Sequence, residues 1–246
     1  PIITPSPKAT PDLAKPSVSA VKAATPASVP LPKKNTPPKP PLSANQKAIE
    51  EYKLILQKDP GNAAANLKLA RLYFISGYED LSEKVFLRQE EIDPETIEAS
   101  NNLGFREFKD KKYGRALNSF KEVLRVDPKN PRARFGIVTV YAKQSFFFKA
   151  IRLAESALKD NPRMAPFQNK LAELYARKRM KINKAISLSQ ESLTENPLAD
   201  KYLSTLATLY YLNGEKGKAI SSIQKAISLH PENKLYKTQL WKFKNT

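Results

Sequence analysis

From Leu42 onward, apolar residues recur in long amphipathic runs broken by short polar turns, a rhythm that predicts helices rather than strands. A longer period is superposed on it. Proline falls at 60, 94, 128, 162, 197 and 231, with steps of 34, 34, 34, 35 and 34. Ahead of each proline stands a small residue, at Ala48, Ser82, Ala116, Ala150, Ala185 and Ala219, with the same steps. Four positions on come Tyr52, Phe86, Phe120, Ala154, Ser189 and Ile223. A further column reads Leu69, Leu103, Ile137, Leu171 and Leu206, each followed by a mostly small residue: Ala70, Gly104, Val138, Ala172 or Ala207. Columns that step together, including one shared shift of a single residue, mark repetition of one supersecondary unit.

Each period predicts the same layout. A first helix runs through the Leu column, with Tyr73, Tyr141, Tyr175 or Tyr210 one turn further along. A tight turn follows, marked by Gly77 and Gly214. A second helix then sets its small residue against the first, because only Ala, Ser or Gly lets two helices approach closely there. The proline closes the period, since it cannot continue a helix. Residues 43–58 match a second helix alone and predict a half-repeat at the start. Residues 233–244 predict a closing helix, with Tyr236, Leu240 and Phe243 on one stripe and Lys234, Lys237, Lys242 and Lys244 around it.

This pattern resembles the tetratricopeptide repeat, a helix–turn–helix unit of 34 residues, over residues 63–246. The resemblance implies an all-α, right-handed solenoid of antiparallel helix pairs. It also implies five repeats, at about 63–96, 97–130, 131–165, 166–199 and 200–233, with a half-repeat at 43–62 and a cap at 233–246. Departures are visible. Glu107 stands where the second-turn Tyr is expected, and the fourth repeat carries one extra residue in its inner turn, where Arg177–Lys181 lacks glycine.

Composition narrows the chemistry. The 246 residues contain no Cys and one His, which removes disulfide frameworks, thiol nucleophiles and multi-His metal sites. Seven scattered glycines form no phosphate-binding fingerprint. His230 sits beside Pro231 with no nucleophile to serve, and reads as a helix C-cap or surface residue. No catalytic residue, metal ligand or cofactor is assigned, and the chain reads as a non-enzyme. Residues 1–42 hold 12 of the 20 prolines and six Lys against one Asp, with no aromatic residue. Such a segment cannot bury enough apolar surface to fold, and it reads as a disordered, semi-stiff linker with a reach of roughly 130 Å. Its composition resembles that of spacers in bacterial envelope proteins. A membrane tether upstream of Pro1 and a periplasmic domain follow from that likeness, with a cytoplasmic location as the alternative.

The charge is +18, from 42 Lys and Arg against 24 Asp and Glu. It is uneven: residues 63–96 carry net −3, whereas 131–165 carry +5. Together with the resemblance, this predicts a protein-interaction scaffold that holds an acidic protein or peptide partner on a basic concave face, in envelope, pilus or secretion assembly. Nucleic acid is not expected, for no binding motif accompanies the charge. The alternative is a regulatory or self-assembling repeat region, homo-oligomeric or attached to an active domain upstream of Pro1. Where related arrays grip a peptide carboxylate, polar side chains line up diagonally across successive first helices; here that diagonal reads Arg71, Asn102 and Arg132, with Lys68 one turn away. Leu67 and Gly136 occupy two further positions where the family's clamp has cations. Phe105 takes a usually polar concave position, and Lys109, Thr139, Lys143, Lys170 and Arg177 extend the expected lining. The run Phe146–Phe148 predicts a second interface. Three consecutive helical residues point in three directions, so Phe146 and Phe148 cannot both follow Phe147 into the core.

Overall fold

The computed structural model describes residues 42–92 and 96–245. The linker up to residue 41, and Pro94 of the proline column, lie outside them. The described residues form helices and turns, with no strand among them. In chain order these are α1 (Ala44–Lys58), α2 (Ala63–Ile75), α3 (Glu79–Ile92), α4 (Ile97–Lys109), α5 (Tyr113–Val126) and α6 (Pro131–Lys143). Then follow α7 (Phe147–Asp160), α8 (Ala165–Lys178), α9 (Ile182–Glu195), α10 (Asp200–Leu212), α11 (Lys216–Leu229) and α12 (Lys234–Asn245). Connections of a few residues between helices of this length force each helix to run antiparallel to the last.

Helix starts are set by residues just beyond the proline column. Asn62 and Asn130 accept the backbone N–H of Ala65 and Ala133 at 2.9 and 3.0 Å, capping α2 and α6. Thr96 caps α4 through Ala99 at 3.2 Å, and Ser43 opens α1 in a reciprocal capping box with Gln46. Pro131 and Pro166 occupy first turns, where a missing N–H leaves no helical bond unmade.

The small-residue column lies in the core from the first full repeat on: Ser82, Ala116, Ala150, Ala185 and Ala219 are buried, whereas Ala48 in the half-repeat is partly exposed. In the Leu column Leu69, Ile137, Leu171 and Leu206 are buried, but Leu103 is 45 % exposed. Around it α4 has turned Glu98, Asn101, Asn102 and Gly104 inward instead, so a polar cluster takes the space that an apolar column would fill. Gly104 and Gly136 make room for one side chain, the fully buried Phe120. A Cβ added at Gly136 would lie 2.3 Å from that ring, and one at Gly104 2.7 Å. Gly136 is therefore a packing position and not a clamp position missing its cation. Gly136→Ala is expected to lower stability in urea unfolding by about 1–3 kcal/mol through overpacking, outweighing the gain in helix propensity. Phe120→Leu in the same chain is expected to recover part of that loss.

The periodic pattern did not predict how tightly the array curves. The first hairpin docks onto α9 and α10, more than 100 residues away. Ser43 donates to the Glu195 carboxylate at 2.7 Å, and Gln46 and Tyr78 donate to the Glu195 carbonyl at 3.0 and 3.2 Å. Asn196 donates to the Gly77 carbonyl at 2.9 Å. Gly77 has φ +82°, and a Cβ there would meet the Tyr202 hydroxyl at 2.6 Å, so both backbone and space demand glycine. Across the first helices Phe74 meets Phe135 edge-to-face at 5.6 Å, and Phe135 meets Phe167 at 5.4 Å. This aromatic line joins α2 to α6 and α8, and closes the N-terminal part of the concave face.

Candidate binding groove

The concave face falls into two regions with opposite character. In the N-terminal region the expected diagonal does converge, but on a carboxylate of its own chain. Glu98 lies in the first turn of α4, where the helix dipole favours an anion. One of its oxygens accepts from Arg71 at 3.3 Å. The other accepts from Arg132 at 3.1 Å and Asn101 at 3.2 Å. Arg132 turns its second nitrogen to the Asn102 amide oxygen at 2.8 Å and lays its guanidinium 3.9 Å from the Phe86 ring centroid. Asn102 in turn donates to Glu90 at 2.8 Å, and Arg106 forks onto the same carboxylate with two bonds of 2.9 Å.

Burial governs this cluster. Arg132 is 6 % exposed, Glu98 2 % and Asn102 3 %. Burial pulls the Arg132 guanidinium down from its ordinary value, with the Glu98 charge opposing it; an arginine in such a pair stays protonated. Hydrogen bonding from Arg106, joined by Asn102, holds the Glu90 carboxyl below its usual value. A fork built for a carboxylate thus already holds one. Arg71 is half-exposed, and Lys68 stands apart on the surface, its ammonium 5.9 Å from the Tyr52 ring. Phe105 packs edge-to-face on Phe120 at 4.9 Å, and Lys109 pairs with Glu83 at 2.7 Å. Between them is a cavity of about 140 Å³.

The second region is open. Along the first helices α8 and α10 and the closing helix α12 runs a groove of about 720 Å³, lined by Glu173, Arg177, Ser204, Thr205, Thr208 and Gln239 among others. It adjoins a recess of about 370 Å³ that reaches Thr139, Asn169, Lys170 and Lys201. A row of hydroxyls and amides crosses a largely apolar lining that includes Ala176, Leu212 and Leu235: Ser204 donates to Gln239 at 2.8 Å, and Gln239 donates to Thr208 at 3.1 Å. Asn169 is buried, and its side-chain oxygen has no hydrogen-bond partner. Burial pushes the Glu173 carboxyl up, but Lys170 and Arg177 at 2.7 and 3.0 Å more than offset this and hold it below its ordinary value. Lys201 pairs with Glu79 at 3.5 Å in the recess, so Glu79 and Glu173 face Lys170, Arg177, Arg179 and Lys201, and the lining keeps a basic excess.

Of the expected site residues, Arg71, Asn102, Phe105 and Arg132 form the closed cluster, with Lys109 beside it. Thr139, Lys170 and Arg177 line the open recess and groove; Lys143 is exposed on the surface. Sequence reading missed Asn169, Ser204, Thr205, Thr208 and Gln239. A signal for them exists: stepped by the period, the column through Asn102 and Gly136 continues as Lys170, Thr205 and Gln239. His230 is the C-cap residue of α11, and its Nδ1 lies 3.0 Å from Asp200, which also accepts from Tyr236 at 2.7 Å.

An α-solenoid of repeated helix hairpins, capped at its C-terminal end and carrying an open groove along first helices, is the class of protein these elements define. Residues 200–233 match the family model described as the tetratricopeptide repeat. One period of the chain thus matches the tetratricopeptide repeat in sequence, and most of its length matches tetratricopeptide-repeat proteins in fold. A thermophilic tetratricopeptide-repeat protein of Thermus thermophilus is 19 % identical, with a TM-score of 0.54 covering 75 % of this chain and all of that one. A tetratricopeptide-repeat protein of Parabacteroides merdae is 21 % identical, with a TM-score of 0.54 over 82 % of this chain and 78 % of that one. MamA of Desulfovibrio magneticus is 18 % identical, with a TM-score of 0.52 over 60 % of this chain and 82 % of that one. No curated protein matches the sequence.

Proposed function

We propose that the chain is a non-enzymatic interaction scaffold that receives an extended, acidic peptide segment of a protein partner in the groove of α8, α10 and α12. The observation that carries this reading is the groove floor. An extended peptide presents alternating N–H and C=O groups, and the row Asn169, Ser204, Thr208 and Gln239 offers both acceptors and donors along successive helices. Lys170, Arg177 and Arg179 would face the acidic side chains of the segment, which favours such a partner over a basic one. The N-terminal cluster is given a structural role in this reading, since its central pair Arg132 and Glu98 is buried, whereas Lys170 and Arg177 share a single carboxylate at an open groove.

The test begins with a phage-displayed library of random peptides panned on the whole chain, with hits measured by fluorescence anisotropy. The selected peptides are expected to be acidic and to weaken with added salt. Thr205→Arg, which fills the groove, is expected to reduce affinity about tenfold or more, whereas Arg71→Ala leaves it unchanged. Affinity that falls with Arg71→Ala and ignores Thr205→Arg would overturn the groove assignment.

A further inference from the structure

Because consecutive helices are antiparallel, turns within repeats fall on one edge of the solenoid and turns between repeats on the other. The two edges differ in charge. In the middle three repeats the within-repeat stretches 109–115, 143–149 and 177–184 hold eleven Lys and Arg against the single Asp110. The between-repeat stretches 126–132, 160–166 and 194–200 hold three basic and four acidic residues. Lys111, Arg115, Lys143, Arg179 and Lys184 on the basic edge make no ion pair with any described residue.

The backbone adds a second, independent observation. At these turns the first and fifth repeats use Gly77 and Gly214, with φ near +82° and +81°. The middle three place non-glycine residues in the same left-handed region: Lys111 at +62°, Ser145 at +63°, and Arg179 and Lys181 at +48° and +50°. A side chain there is strained by roughly 1–2 kcal/mol, which glycine avoids. Three of the four strained residues are cations, kept where the fold by itself would favour glycine.

The third observation is apolar. Phe147 packs into the core, while Phe146 and Phe148 are 49 % and 63 % exposed at the centre of the basic edge. Lysines lie over their ring faces, Lys149 at 5.0 Å from the Phe146 centroid and Lys178 at 5.5 Å from that of Phe148. Rings covered in this way cannot stack on nucleobases through those faces. They can enter an interface edge-on while the long lysine side chains reach outward to phosphates.

We propose that this edge docks on an anionic phospholipid surface, with Phe146 and Phe148 set among the headgroups and the turn cations on the lipid phosphates. The surface borders the groove at Arg177 and Arg179, but Lys111, Lys181, Phe146 and Phe148 lie outside the groove lining, so either could fail without the other. The test is flotation of the whole chain with phosphatidylcholine vesicles, with and without phosphatidylglycerol. Binding is expected only when the anionic lipid is present, and it should weaken with salt. The double variant Lys111→Gly/Lys181→Gly, at two strained turn cations outside the groove, should weaken it about thirtyfold, each cation near an anionic surface being worth roughly a fivefold change. Its melting midpoint should be unchanged or higher, because glycine relieves the turns, and this separates lost binding from lost folding. Phe146→Ser/Phe148→Ser should also release the chain from vesicles. Failure of the wild-type chain to float, or vesicle binding indifferent to both double variants, would overturn the proposal. So would a single-stranded oligonucleotide that displaces the chain from vesicles and binds independently of the two phenylalanines, which would mark a nucleic-acid face instead.

Discussion

Glu98→Ala should destabilise the protein by about 3–5 kcal/mol, a large share of the stability of a domain this size. Arg132 is buried and cannot shed its proton, so removing its carboxylate leaves an uncompensated charge against the Phe86 ring. The position of Arg132 in the first turn of α6 worsens this, since the helix dipole there repels a cation. The reverse change, Arg132→Met, removes the same ion pair but leaves Glu98 with Arg71 and Asn101, and should cost less. Glu98→Gln/Arg132→Met together should recover much of the loss, because an apolar replacement of a buried ion pair is often nearly neutral. Urea unfolding of the four proteins would check this. A loss below about 1 kcal/mol for Glu98→Ala would mean that water reaches the cluster and that it is an open site.

Removing residues 234–246 should have an effect of similar size, about 3–6 kcal/mol, from re-exposing the surfaces that Tyr236 and Phe243 bury. Phe243 stacks on Tyr211 at 4.8 Å, and Tyr236 and Phe243 join the core cluster that holds Ala219, Ile223 and Ala226. Terminal repeats of a solenoid need a polar-backed cover, so the truncated chain should also self-associate. Sedimentation velocity and thermal melting would show both changes. A monomeric, equally stable truncation would contradict a capping role for α12.

The periodicity made the helices and their small-residue contacts legible, because five successive steps of 34 or 35 residues leave little freedom in where each helix starts and which face it buries. Leu103 and Glu98 show where that legibility stops. A glutamate in a first turn is ordinarily a solvated partner of the helix dipole, and nothing local distinguishes one that will be buried beneath two arginines. Arg71, Asn102 and Arg132 were picked out as a set through the resemblance to arrays that grip a peptide carboxylate. Their internal anion was not, because the curvature that buries it comes from contacts such as Asn196 to Gly77, 119 residues apart. The groove residues failed to register for a different reason. Thr205 and Gln239 are unremarkable singly, and only the continued column from Lys68 through Asn102, Gly136 and Lys170 sets them on one line.

Hydrogen–deuterium exchange of the whole chain, with and without a peptide selected on it, tests the central claim most directly. Binding is predicted to slow exchange in α8, α10 and α12 and to leave 97–109 and 131–138 as they were, because the N-terminal cluster is already closed on Glu98. Protection centred on α4 and the start of α6, with none in α10 or α12, would contradict the account and return the site to the Arg71–Asn102–Arg132 diagonal.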